Sequence, residues 1–219
     1  MNRKLTLLLA AILLFPAAAS ADMGIGLKAG AIRNSTDLIL LVPSGMGNYS
    51  GDYTENNGIY GGELFYEADG LWRWGVKLGF ELNPKSTYDE DLNGSVSKYT
   101  YKTMYVPATA YYKYAPEDSA FNYWAGGGIG LMKVTYTSLN SSSDYTQTKI
   151  VPHLDAGAEW SMSKHFGLGL NLGYLFGAKF DDLRNADDSR ALIYDTPGNN
   201  PMYVNNEGLR GDITLRYYF

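Results

Sequence analysis

The chain has 219 residues, no cysteine, 19 tyrosines and a formal net charge of −5. The acidic balance argues against a nucleic-acid partner, and the missing cysteine excludes both a disulfide framework and a lipid-anchored amino terminus.

The first element is an export signal. Arg3 and Lys4 precede an apolar run from Leu5 to Phe15, and Ala19-Ser20-Ala21 fits a small-x-small cleavage pattern, so residues 1–21 are expected to be a cleaved signal peptide and 22–219 the mature domain. Past it no stretch approaches the ~18 consecutive apolar residues of a membrane helix. That leaves an exported soluble domain or a membrane protein built from strands.

From there the chain alternates with period two, the signature of strands with unlike faces. "DMGIGLKAGA" sets Met23, Ile25, Leu27 and Ala29 against Gly24, Gly26, Lys28 and Gly30. "YGGELFYEA" sets Tyr60, Leu64, Tyr66 and Ala68 against Gly61, Glu63, Phe65 and Glu67. In "WRWGVKLGFEL" the apolar set runs Trp72, Trp74, Val76, Leu78, Phe80 and Leu82, opposite Arg73, Gly75, Lys77, Gly79 and Glu81. "MYVPATAYYK" places Met104, Val106, Ala108, Ala110 and Tyr112 on one side, and "FNYWAGGGIGLM" gives Phe121, Tyr123, Ala125, Ile129 and Leu131. "IVPHLDAGAEW" sets Ile150, Leu154, Ala156, Ala158 and Trp160 against His153, Asp155, Gly157 and Glu159. In "FGLGLNLGYLFG" the residues from Phe166 to Phe176 in steps of two oppose Gly167, Gly169, Asn171, Gly173 and Gly177. The closing "LRGDITLRYYF" carries Ile213, Leu215, Tyr217 and Phe219 outward and Arg210, Asp212, Thr214 and Arg216 inward.

A soluble sandwich also alternates, so the connections decide. They run long and short in turn, at about 34–57, 69–71, 84–98, 115–120, 137–148, 163–165 and 181–206. Tight turns at one end and longer loops at the other, around an even number of strands, predict an all-β fold: an eight-stranded antiparallel up-and-down transmembrane barrel with periplasmic turns, extracellular loops and both termini periplasmic. Trp72, Trp74, Trp160, Phe166 and Tyr217 fall on the apolar face near the short turns, where an interfacial aromatic girdle belongs.

The export signal, the eight segments, the glycine-rich "YWAGGGIG" and the terminal "LRYYF" together resemble the OmpA/OmpW-type family of small outer-membrane β-barrels. That resemblance implies the Gram-negative outer membrane, contact with its lipid and lipopolysaccharide, and an assembly signal for the barrel-assembly machinery at Ile213, Leu215, Tyr217 and Phe219.

The inward set balances Lys28, Arg73, Lys77, Lys113, Arg210 and Arg216 against Glu63, Glu67, Glu81, Asp155, Glu159 and Asp212. A barrel of this width has room for little beyond its own side chains, and buried charge is costly unless paired. We therefore expect a closed, salt-bridged lumen, with glycines making room for the long side chains.

Three other motifs carry competing readings. The runs "GIGLKAG" and "GGGIG" lack both the nucleotide-binding spacing and a following helix, so no cofactor is expected. Asp89, Asp91 and Asn93 match the first half of a calcium loop, but Thr100 stands where its bidentate glutamate belongs, and Asn93-Gly94 suits a hairpin turn instead. His153 and His165 are the chain's histidines, and neither lies in a serine–histidine pattern on one strand face, so no enzyme is expected.

The expected function is a monomeric, non-enzymatic barrel serving envelope structure or surface interaction. The alternative is a narrow channel or a transporter of small hydrophobic molecules, suggested by the apolar run Leu38 to Val42 in the first loop. A lipid-modifying barrel enzyme stands third.

Overall fold

The structure, a computed structural model, describes residues 21–40, 49–92, 95–138, 143–191 and 204–219. Residues 1–20 of the expected signal peptide, Leu41, Val42 and Asn93 lie outside the described residues.

Eight strands close a barrel in the order β1-β10-β7-β6-β5-β4-β3-β2. They are β1 (Ala21–Leu40), β2 (Tyr49–Ala68), β3 (Trp72–Leu92), β4 (Ser95–Tyr114), β5 (Phe121–Ser138), β6 (Ser143–Ser161), β7 (Phe166–Leu175) and β10 (Gly208–Tyr218). Every pairing is antiparallel. Closure is made by β1 on β10, with Leu27 opposite Leu215 and Ile32 opposite Arg210. Closure removes the sheet edges, so along the paired segments each backbone polar group has a partner without water, as a lipid environment requires.

The alternating faces fall as the sequence predicts. Leu27, Leu64, Val76, Ile129, Leu154, Leu170 and Ile213 point outward, and their neighbours Lys28, Glu63, Lys77, Asp155, Asn171 and Asp212 are buried inside. Inward glycines act as floors for long side chains. A Cβ at Gly75 would sit 2.5 Å from the Tyr111 ring, and one at Gly130 would sit 2.4 Å from the Tyr105 ring.

The short turns lie where expected, but the long connections are largely strand. β1 and β2 stay paired from Ala21↔Ala68 out to Leu40↔Tyr49, so Leu38 belongs to a strand and not to a loop. β3 and β4 stay paired to Leu92↔Ser95, across a break at Asn83/Ser86, which puts Asp89 and Asp91 in a strand ladder. β5 and β6 continue to Ser138↔Ser143. These outer segments keep no strict period of two in the sequence and so read as loops, although their ladders persist.

The β7–β10 connection does fold apart from the barrel. Gly177, expected inward on β7, lies beyond that strand with φ +61, a left-handed conformation that glycine adopts without strain. The chain turns there into β8 (Lys179–Phe180), which pairs with β9 (Val204–Asn205). A backbone pair between Arg184 and Thr146 fastens this segment to the end of β6.

Candidate functional site

Among the described residues the lumen gathers most of the buried polar chemistry, and its lower half, toward the short turns, is a continuous ladder of alternating charge. Lys113 Nζ lies 2.8 Å from Glu67 and 3.2 Å from Glu159. The Arg216 guanidinium bridges Glu159 and Glu63, the latter at 2.8 Å. Lys28 joins Glu63 at 3.2 Å to Glu81 at 3.1 Å, and Arg210 joins Glu81 to Asp155, each at 2.7 Å. Tyr111 and Tyr218 add hydroxyl bonds to Glu67 and Glu159 respectively. A carboxylate shared between two cations has its charge offset in a place water barely reaches, although among the described residues Glu63 Oε2 and Asp155 Oδ2 lack a hydrogen-bond partner.

Three predicted members depart from simple pairing. Lys77 is 3.9 Å from Asp155, and its ammonium sits 3.7 Å from the centre of the Trp124 ring, so a cation–π contact carries much of its stabilisation. Asp212 has no cation within ion-pair distance among the described residues; Asn171 and Thr214 donate to it at 2.6 and 2.7 Å. Arg73 does not enter the ladder. It reaches Asp22 at 2.7 Å and the Gly70 carbonyl at the half-exposed rim, because Trp72 starts β3 and leaves Arg73 only one residue from the turn.

Above the ladder the interior changes character. Ile32, Ile59, Met132, Val134, Val151 and Leu175 continue the inward sets of their strands, and Phe180, Leu183, Ala191 and Val204 of the β7–β10 segment pack down onto them. The ion pairs of the lumen therefore occupy its lower part, and an apolar layer fills the part above. The signal was present: one more step of two leads from Gly30 to Ile32, from His153 to Val151 and from Gly173 to Leu175. The cap itself had no such signal. It is held by Asn206, whose backbone donates to Ala178 and whose side chain donates to Thr103, and by Lys149, which donates to the Lys179 carbonyl and to Asp181. That hydrogen bond from Lys149 holds the Asp181 carboxyl below its usual range.

His153 marks the border between the two layers. Its ring nitrogens meet the Tyr105 hydroxyl at 2.7 Å and the Thr109 hydroxyl at 2.8 Å, with Asp155 at 3.5 Å. Its partner Tyr105 also lines a cavity of about 20 Å³, together with Ile32, Ile59, Leu82, Asn83 and Asn206 among others, enough for about one water. Leu82 is otherwise a residue of the outer face, and the β2–β3 pairing ends at Tyr60↔Leu82. His165 lies in the β6–β7 turn with its Nδ1 3.0 Å from the Tyr218 carbonyl oxygen. Ile213, Leu215, Tyr217 and Phe219 share the outer face of β10, the rings of Tyr217 and Phe219 meeting at 5.6 Å.

A protein family described as the outer membrane protein beta-barrel domain matches residues 5–196. In fold the chain is similar to Neisserial surface protein A, with a TM-score of 0.52 at 14% identity over 91% of this chain and 99% of that one. It is likewise similar to the outer membrane protein OprG from Pseudomonas aeruginosa, with a TM-score of 0.52 at 14% identity over 92% and 96% of the two chains. Ail, the attachment invasion locus protein of Yersinia pestis, solved with the heparin analogue sucrose octasulfate, gives 0.48 at 13% identity over 90% and 97%. No curated protein matches the sequence.

Proposed function

The chain belongs to the outer membrane protein beta-barrel domain family, and on that premise we propose a monomeric, non-enzymatic barrel whose closed lumen makes it a rigid anchor for the hairpins at its loop end. The reading places it in the outer membrane of a Gram-negative bacterium, with residues 1–21 removed on export and both termini and the short turns in the periplasm. The loop-end hairpins then face outside, serving envelope structure or surface interaction, and the lipid and lipopolysaccharide of the membrane surround the outer belt. The observation that carries it is the ladder from Glu67 to Asp155, in which each cation from Lys113 to Arg210 is held between two carboxylates. A mobile ion would have to break these pairs to pass. The ring nitrogens of His153 are occupied by the hydroxyls of Tyr105 and Thr109.

A second reading, lateral passage of small hydrophobic molecules, is favoured by the cavity that Leu82 helps to line, where the β2–β3 pairing ends. Single-channel recording of the purified barrel in planar bilayers separates the two, and silence is expected. Steady, long-lived conductance overturns the closed lumen. Saturable binding of a nonpolar fluorescent probe, abolished by Leu82→Trp, favours the lateral route instead.

The family resemblance also assigns Ile213, Leu215, Tyr217 and Phe219 as the signal read by the barrel-assembly machinery. Phe219 is 71% exposed, and its backbone N–H donates to the Met23 carbonyl. Its deletion removes that bond and little packing, so unfolding of the refolded protein in detergent should barely shift while the amount in the outer membrane falls severely. Surface labelling that finds normal levels of a chain ending at Tyr218 refutes the assignment.

A further inference from the structure

The cavity between the charged ladder and the apolar layer is lined by two amides with open hydrogen-bonding atoms. Asn83 is 5% exposed and Asn206 1%, and among the described residues Asn83 Nδ2 and Asn206 Oδ1 have no hydrogen-bond partner. Burying an amide group without a partner is costly, so each such group in a native fold has a cause.

The strands explain why these two meet. Asn83 continues the inward set of Lys77, Gly79 and Glu81, and it stands where the β3–β4 register breaks and one residue past the end of the β2–β3 pairing. Its cross-strand partner is Thr103, whose Oγ1 accepts a hydrogen bond from Asn206 Nδ2 at 3.4 Å. One threonine thus neighbours both amides. Asn206 in turn forms the neck of the cap. Its backbone N–H donates to the Ala178 carbonyl, and the glycines flanking the neck, Gly177 and Gly208, have φ of +61 and +152, conformations that other residues rarely adopt.

The open atoms are complementary, an N–H on Asn83 and a carbonyl oxygen on Asn206. A cation would suit the oxygen alone and an anion the N–H alone, whereas water serves both. The cavity, of about 20 Å³, has room for about one. Ile32, Ile59, Met132 and Leu175 form much of its wall, so a larger polar ligand would meet hydrocarbon.

We propose that Asn83 and Asn206 bind one ordered water, which accepts from Asn83 Nδ2 and donates to Asn206 Oδ1, and that this water ties the neck of the cap to β3. The site goes beyond the closed-lumen reading and does not rest on it.

The test starts from the parent protein. A high-resolution crystal structure of the full barrel should show a density peak within hydrogen-bond distance of both Asn83 Nδ2 and Asn206 Oδ1. No peak there, or one that reaches only one of the two, overturns the site. The tie to the cap is read by hydrogen exchange at the Asn206 backbone N–H, followed by NMR on the barrel in micelles. Asn83→Leu fills the cavity, displaces the water and strands Asn206 Oδ1, so exchange should accelerate about tenfold or more. Asn83→Ala leaves room for the water and its bond to Asn206, so the acceleration should be smaller, about two- to fivefold. Unchanged exchange from Leu168 to Leu172 on β7 shows that each variant's barrel is intact. A side chain that merely filled space would give the opposite order, because leucine adds apolar contact and alanine leaves a void. That order, or a parent rate in both variants, overturns the tie. Should Asn83→Leu fail to fold, the parent's density and the rate in Asn83→Ala still decide.

Discussion

Replacing Arg216 with alanine is expected to destabilise the barrel by about 3–5 kcal/mol, the range for removing one partner of a fully buried ion pair. The guanidinium is 1% exposed, bridges Glu63 and Glu159, and lies 5.1 Å from the centre of the Phe65 ring. Without it two carboxylates at the centre of the ladder lose their shared cation. Each keeps one lysine, Glu63 through Lys28 and Glu159 through Lys113, which places the expected cost toward the lower end of the range. Urea unfolding of the protein refolded into phospholipid vesicles measures it. Arg73→Ala is the companion: its ion pair with Asp22 sits at the half-exposed rim, where such pairs contribute about 0–1 kcal/mol. Equal losses for the two variants would mean that the ladder is hydrated and not a buried network. Replacing Glu63 with glutamine together with Arg216→Met should restore part of the loss, since removing both charges avoids leaving one unpaired.

Arginine in place of Leu170 should cost about 2–4 kcal/mol, and in place of Leu209 about 0–1 kcal/mol. Leu170 is 58% exposed on the outer face, opposite Ala158 on β6 and Ile213 on β10, midway along the belt. Leu209 is outward as well, but it lies one residue from the loop-end start of β10, where an arginine reaches water. A depth-dependent difference in unfolding free energy between these outward sites is the signature of a lipid belt. Equal costs at both would show that the outer face does not lie in lipid at the depth assigned.

The face of nearly every barrel residue was legible in the chain. "WRWGVKLGFEL" could be read without its neighbours because two solvents select at once, apolar material outside and a narrow polar interior inside, and a strand crossing between them must alternate. The same reasoning failed beyond the belt. From Arg33 to Leu40 and from Tyr49 to Asn57 the strands go on as a paired hairpin, but the sequence there keeps no period of two, so the segment read as a loop. The apolar half of the interior was legible in the chain too. Ile32, Val151 and Leu175 keep the inward parity of Lys28, Asp155 and Asn171, and the change from charge to hydrocarbon along that parity was the clue to an interior in two layers.

The sequence by itself determined the strand faces, the number of crossings and which charges turn inward, because those follow from local alternation against a fixed environment. Which charge meets which, only closure decided. Arg216 reaches Glu63 across 153 residues and Glu159 across 57, and the pairing of β1 with β10 is what brings them together. Closure also left Asp212 to Asn171 and Thr214, and the start of β3 at Trp72 left Arg73 at the rim. The β7–β10 cap belongs with these. Phe180, Leu183 and Val204 have no period of their own and are buried only because the mouth beneath them presents Met132, Val134 and Leu175. A contact between distant residues is a property of the closed barrel, and a pattern of period two carries no record of which strand comes to lie across the lumen.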